Sequence, residues 1–143
     1  MHKPEKRITD FIREHHVLTL STSGNNTPWC AHCFYAYLEK ENLLIFTSDE
    51  KTRHVKEVRK NPEIAGSIVL ETKIVGKIQG IQFRGTMEKP KETLLKKTRS
   101  AYLKRFPYAI LMHTSLWIIK LHYIKMTDNR LGFGKKRIWQ LPG

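Results

Sequence analysis

The sequence predicts an antiparallel α+β domain: six or seven strands in a small barrel, with helices packed outside. Three observations predict it. Short apolar or alternating runs recur through the first half, joined by turns of a few residues, which suit antiparallel neighbours and are too short for parallel crossovers. Helical periodicity is confined to separate stretches between those runs. The 143 residues, 40% hydrophobic and with three Trp, suffice for a single domain, 1–143, with its own core.

Taken in order, residues 4–15 form a helical pattern, with Ile8, Phe11, Ile12 and His15 on one face and Pro4 suited to its first turn. Val17 to Ser23 reads as a strand with Leu18 and Leu20 on one side. Gly24-Asn25-Asn26 is a turn, and a second strand is expected from Pro28 to Leu38. Glu39 to Asn42 leads back into Leu43 to Phe46, so the first three strands make a meander. Ile64 to Leu70 is another strand. Lys77 to Glu88 alternates, with Gly80 and Gly85 marking bulges or close backbone approach. A helix is predicted from Pro90 to about Arg105, then a break at Phe106-Pro107 and a short helix from Tyr108 to His113. Leu116 to Lys125 is a strongly apolar strand. Thr127 to Phe133 is a loop or short strand, and Ile138 to Leu141 is a last short strand.

The stretch Leu43 to Pro62 organises the chain. An apolar strand gives way to Thr47, Ser48 and Asp49, then to a basic helix with Val55 and Val58 on one face, stopped by Asn61-Pro62. A helix start has unpaired N–H groups and partial positive charge, which suit an anion. Lys51, Thr52 and Arg53 stand at this start, with Thr47 and Ser48 just before it. The same residues also suit an N-capped surface helix with solvated charges.

Composition narrows the partners. The formal net charge is +13, from 26 Lys and Arg against 13 Asp and Glu. Such a field attracts nucleic acid, acidic lipid or phosphorylated small molecules without choosing among them. The charge is spread along the chain, so no nucleic-acid arm stands out. No apolar run approaches the ~20 residues of a membrane span, and the amino-terminal residues lack the apolar centre of a secretory signal. A cytoplasmic location is the expectation.

Several motifs fail on inspection. Cys30-Ala31-His32-Cys33 spells C-x-x-C, but its flanks are strand-like, which points the two thiols to opposite faces. Metal-ligand spacing is absent, and so is a Walker or dinucleotide glycine pattern. Gly132-Phe133-Gly134-Lys135-Lys136 is too short for a phosphate loop. Gln82, between Ile81 and Phe83 on a strand, needs partners. Either a neighbouring backbone or the edge of a planar heterocycle would serve.

Taken together, strand–Thr-Ser–Thr-Arg-His–helix–Asn-Pro, then strand–Gln–Gly, resembles the FMN-binding split barrel of the pyridoxamine-phosphate oxidase superfamily. Residues 29–35 (WCAHCFY), 50–54 (EKTRH), 78–85 (IQGIQFRG), 105–109 (RFPYA) and 127–139 (TDNRLGFGKKRIW) resemble its YhbP-type branch. The resemblance covers nearly the whole chain. It implies a homodimer with two FMN sites at the subunit interface. It implies that Thr52, Arg53 and His54, with Thr47 or Ser48, hold the flavin phosphate. The family has a lysine where His54 stands, and Lys51 would supply that charge. By the same resemblance Gln82 meets the flavin edge, the strand through His32, Cys33 and Phe34 lies along the ring, and Trp139 approaches from the partner subunit. The last residues, Ile138 to Gly143, lack the arginines with which the true oxidase grips its substrate, so an oxidoreductase acting on a different substrate is the expectation. No side chain stands out as the acid or base, His32 and His54 being the candidates. Two alternatives stay open: a split barrel binding haem, a deazaflavin or another anionic cofactor, and a nucleic-acid module using Phe34, Tyr35, Phe83 and Arg84 as stacking groups.

Overall fold

The computed structural model of the protein describes residues 2–111 and 114–143. Helix α1 spans Lys6–Glu14 and buries Ile8, Phe11 and Ile12. Strands β1 (Val17–Gly24) and β2 (Thr27–Phe34) form a hairpin around Asn25 and Asn26, both of which adopt positive φ. Strands β3 (Ala36–Leu38) and β4 (Leu43–Ser48) form the next, followed by helix α2 (Arg53–Lys60). Strands β5 (Glu63–Val69) and β6 (Gln79–Glu88) precede helix α3 (Glu92–Arg105). The long β7 (Ser115–Asp128) and the short β8 (Lys136–Gln140) complete the chain. The short helix expected at Tyr108–His113 is a 3-10 turn over Pro107–Leu111, and its last two expected residues lie outside the described ones.

All strands pair antiparallel in one sheet, in the order β2-β1-β5-β6-β7-β4-β3, with β8 also beside β7. The α+β barrel class predicted from the sequence is the one found. Among the described residues the strand count rises to eight because the run expected from Pro28 to Leu38 breaks at Tyr35. Its first half pairs with β1 and its second with β4. The two ends of the sheet are therefore successive halves of one bent segment, and the sheet curls around until they meet. That leaves a split along β2, the feature that defines a split barrel.

Tyr35 holds the bend. Its ring is fully buried and its hydroxyl donates to the Ile12 carbonyl at 2.6 Å, satisfying one of the free carbonyls at the end of α1. Arg105 donates to the Tyr35 carbonyl at 3.1 Å and to the His15 carbonyl. Burial pushes the Tyr35 phenol well above its ordinary pKa.

The core lies inside the curl, where Leu18, Leu20, Leu44, Phe46, Ile81, Phe83 and Ile124 meet α1 and α2. A smaller cluster, including Ile45, Ile118 and Tyr102, packs under α3. Of the two glycines marked in the sequence, only Gly85 adjoins a register shift, between Arg84 and Gly85. Gly66 has the tighter requirement: a Cβ there would lie 2.3 Å from Phe83 Cζ and 2.5 Å from the Thr19 carbonyl oxygen. No helix among the described residues is long and apolar enough to cross a membrane.

Candidate functional site

The start of α2 is built by its own side chains. Thr52 caps the helix, accepting from the Val55 N–H, and its hydroxyl donates to the Asp49 carbonyl at 2.8 Å. The Lys51 N–H donates to the Asp49 carboxylate at 2.7 Å. These contacts fix the turn from β4 into the helix. They leave the first-turn N–H groups of Arg53 and His54 with no acceptor within the helix.

Around this start lies an open groove of about 750 Å³, bounded by the β1–β2 turn and α2. Lys51, Arg53, Lys56 and Lys60 line it, against one carboxylate, Glu57. Glu57 accepts from the Thr22 hydroxyl at 2.7 Å and from Arg53 Nε at 3.3 Å, and both contacts hold its carboxyl below the ordinary range. Arg53 also lies over the Trp29 ring, 4.2 Å from its centroid. Four cations, free N–H groups and a half-exposed indole suit a phosphate attached to a planar group.

The hydroxyls and His54 belong to a different arrangement from the one expected. Ser48 is buried and bonded to His54 Nε2, which also meets Thr52 Oγ1 at 3.3 Å. Burial lowers the His54 pKa, so the ring stays neutral and locks the turn instead of supplying charge. Thr47 faces away, toward the Tyr102 hydroxyl on α3 at 3.5 Å. Lys51 and Arg53 are the cations that reach the groove, with Lys56 and Lys60, which the sequence reading did not single out. Their helical spacing puts Lys56 and Lys60 on one face (residues i and i+4).

A second group gathers on the outer face of the sheet. Register places His32, Thr19, Ser67, Gln82 and Lys125 in one row across β2, β1, β5, β6 and β7. Gln82 is exposed there over a shallow hollow shared with Cys30 and Tyr123. His32 Nδ1 meets the Thr19 hydroxyl at 3.2 Å. Beyond that row Phe34 pairs with Val17, and Val69 follows two residues after Ser67 on β5; all three are exposed. Cys33 points inward, and burial pushes its thiol up to about 12. The C-x-x-C thiols thus lie on opposite faces, as the strand reading required.

The two groups lie on opposite faces of the β1–β2 hairpin, since Trp29 shares the α2 side with Thr22 and Cys30 shares the outer side with Ser21. What joins them is the edge of β2. Among the described residues β1 is the only strand beside β2, so alternate backbone N–H and C=O groups along residues 29–34 have no strand partner. Trp139 is not part of either group. It is 5% exposed and packs within this chain's core, with His2 stacked near it. Its side of β8 faces inward because Ile138 takes the outer row beside Lys125.

Residues 4–130 match the family described as pyridoxamine 5'-phosphate oxidase. The chain belongs to that family. A UPF0306 protein of Photorhabdus laumondii is 40% identical over 133 residues, 93% of each chain. Among solved structures, a heme-binding protein from Mycobacterium smegmatis aligns with TM-score 0.79 at 17% identity, over 98% of this chain and 60% of that one. An FAD-binding protein from Mesorhizobium loti aligns with TM-score 0.70 at 13% identity, over 84% and 91%. At these identities the structural likeness establishes the shared fold. The members of the fold so named carry different cofactors, so family membership leaves the choice of cofactor to the residues of each site.

Proposed function

We propose that this chain is a homodimeric FMN-binding protein and a flavin-dependent oxidoreductase. The observation that carries the reading is the four-cation groove between α2 and the β1–β2 turn, whose Arg53 lies over Trp29 of β2. Lys51, Arg53 and the first-turn N–H groups would hold the phosphate. The β2 edge and Gln82 would meet the polar edge of the ring, with Trp29 against its apolar part. FMN, once bound, supplies the electron and hydride transfer, while the protein binds, orients and tunes it. The exposed Phe34, Val17 and Val69 support a second copy covering this face.

The test is to saturate the purified protein with FMN, desalt it, and record the visible spectrum. Retained bands near ~450 nm are expected, lost in Arg53→Ala and Lys51→Ala, together with a dimeric mass by sedimentation. A colourless wild-type protein after loading at high micromolar FMN would overturn the reading.

A haem reading has its own supporting observation. His32 is exposed and bonds through Nδ1 to Thr19, so its Nε2 would be the nitrogen to hold a haem iron. A Soret band on haem titration that disappears in His32→Ala, with no flavin uptake, would favour it.

A further inference from the structure

Two loops at one end of the barrel have no part in the groove or the outer face: residues 70–78 between β5 and β6, and residues 129–135 between β7 and β8. The second carries Gly132-Phe133-Gly134-Lys135, too short for a phosphate loop. Both loops lie at the far end of β5 from α2, so a role for them does not depend on the flavin reading.

The loops brace each other. The Asn129 side-chain amide donates to the Val75 carbonyl at 2.9 Å, and its backbone N–H donates to the Ile78 carbonyl at 2.9 Å. Its amide oxygen accepts from the Gly134 N–H at 3.2 Å. The tips stand clear of the rest of the chain: a Cβ at Gly76 or Gly134 would meet nothing within 4 Å. Gly132 and Gly134 take positive φ, a tight turn that leaves Phe133 between them 78% exposed.

Apolar side chains cover this end. Ile74, Val75, Ile78 and Leu131 are exposed along with Phe133, Val75 at 60% and Ile74 at 48%. Single exposed apolar residues are ordinary, but five on two hydrogen-bonded loops mark a surface that meets a membrane or a partner. Lys73, Lys77 and Lys135 interleave with them. Among the described residues no carboxylate pairs with these three lysines. Asp128, at the base of the second loop, is taken up by Arg7 and Arg130.

We propose that these two tips dock on an anionic lipid bilayer, with Ile74, Val75 and Phe133 among the acyl chains and the lysines at the headgroup phosphates. Charge selects this occupant. A second copy set tip to tip would bring lysine against lysine, and a chain of net charge +13 is a poor complement for them. Nucleic acid would satisfy the lysines, but it recruits aromatic faces for its bases and has no use for Ile and Val. An anionic bilayer offers phosphate at its surface and hydrocarbon just beneath, in the order the tips present their groups. The bracing through Asn129 leaves the tips little freedom to lose on docking.

The test is sedimentation of the full chain with vesicles of phosphatidylcholine alone and of phosphatidylcholine mixed with phosphatidylglycerol. Partition onto the mixed vesicles is expected, weakening with added salt, with little onto the neutral ones. The double variant Val75→Ser, Phe133→Ser keeps every charge and should partition roughly tenfold more weakly. Lys77→Gln and Lys135→Gln should each weaken partition about fivefold. All four positions are exposed, and thermal melts check that the variants fold. Phe133→Trp should add emission that lipids brominated along their acyl chains quench. No partition onto the mixed vesicles would overturn the proposal. So would equal partition of the double variant, which would assign the binding to the spread charge of the chain, or an unquenched tryptophan at position 133. A dimer lost in the double variant would give the tips to a second copy instead, and oligonucleotide binding lost in it would give them to nucleic acid.

Discussion

Tyr35→Phe removes one oxygen atom and nothing else. The lost bond is buried and 2.6 Å long, and it ties the bend between β2 and β3 to the last turn of α1. A hydrogen bond of this kind contributes about 1 kcal/mol net, and the Ile12 carbonyl left behind without a partner adds a comparable cost, for about 2 kcal/mol in all. Each kcal/mol lowers the midpoint of a domain of this size by roughly 3–4 °C, so a fall of about 7 °C is expected. In urea, with a slope of about 2 kcal/mol/M, the midpoint should drop by about 1 M at unchanged slope. Tryptophan fluorescence during urea unfolding is the assay. A midpoint within ~0.2 M of wild type would refute the reasoning, because at that slope it would mean that the bend holds without this bond.

Three further outcomes are expected. Glu57→Gln removes the one carboxylate facing four groove cations, so FMN should bind roughly threefold to tenfold more tightly by fluorescence quenching; unchanged affinity would place the phosphate elsewhere. Asp128 is fully buried and accepts from Arg130 at 2.8 and 3.0 Å and from Arg7 at 3.2 Å, and these contacts, Arg130 first, hold its pKa below 3.8. A depressed folded-state value means stability that is complete above the unfolded pKa of about 4 and lost as pH falls through the folded value. Asp128→Asn should therefore cost about 1 kcal/mol at pH 7, discounted because both arginines are more than a third exposed, and the gap from wild type should begin to narrow below about pH 4 in melting experiments. Gly66→Ala should destabilise by about 2–3 kcal/mol in thermal melts, since Phe83 is packed and the Thr19 carbonyl is backbone.

Much of the scaffold was legible because local rules agreed with the tertiary outcome. The alternation of β1 gave its buried side, and the Asn61-Pro62 stop of α2 fell where expected. The break at Tyr35 was not legible: FYAYL reads as unbroken strand, and what interrupts it is a hydrogen bond to α1 and a guanidinium from α3. Gly66 carries no local signal because its need arises from a ring on the neighbouring strand. The cations at the start of α2 could be read from the sequence. The direction of His54 could not, since it depends on Ser48 being buried beneath it. Only the family resemblance sets Trp139 against a cofactor, and the register of β8 against β7 turns it inward.

The bent segment from Thr27 to Leu38 carries both lips of the seam, and this shapes how the chain can assemble. Each lip finds its first partner locally, β2 with β1 and β3 with β4, so neither hairpin waits for the rest. Encirclement is different. It depends on β7 reaching β4, which sets Lys120 beside Leu43 and links segments far apart in sequence. The entropy of closing that long loop falls on one late encounter, made by a strand near the carboxyl end. Until it occurs, a nascent chain would hold two competent hairpins and an open edge at β4.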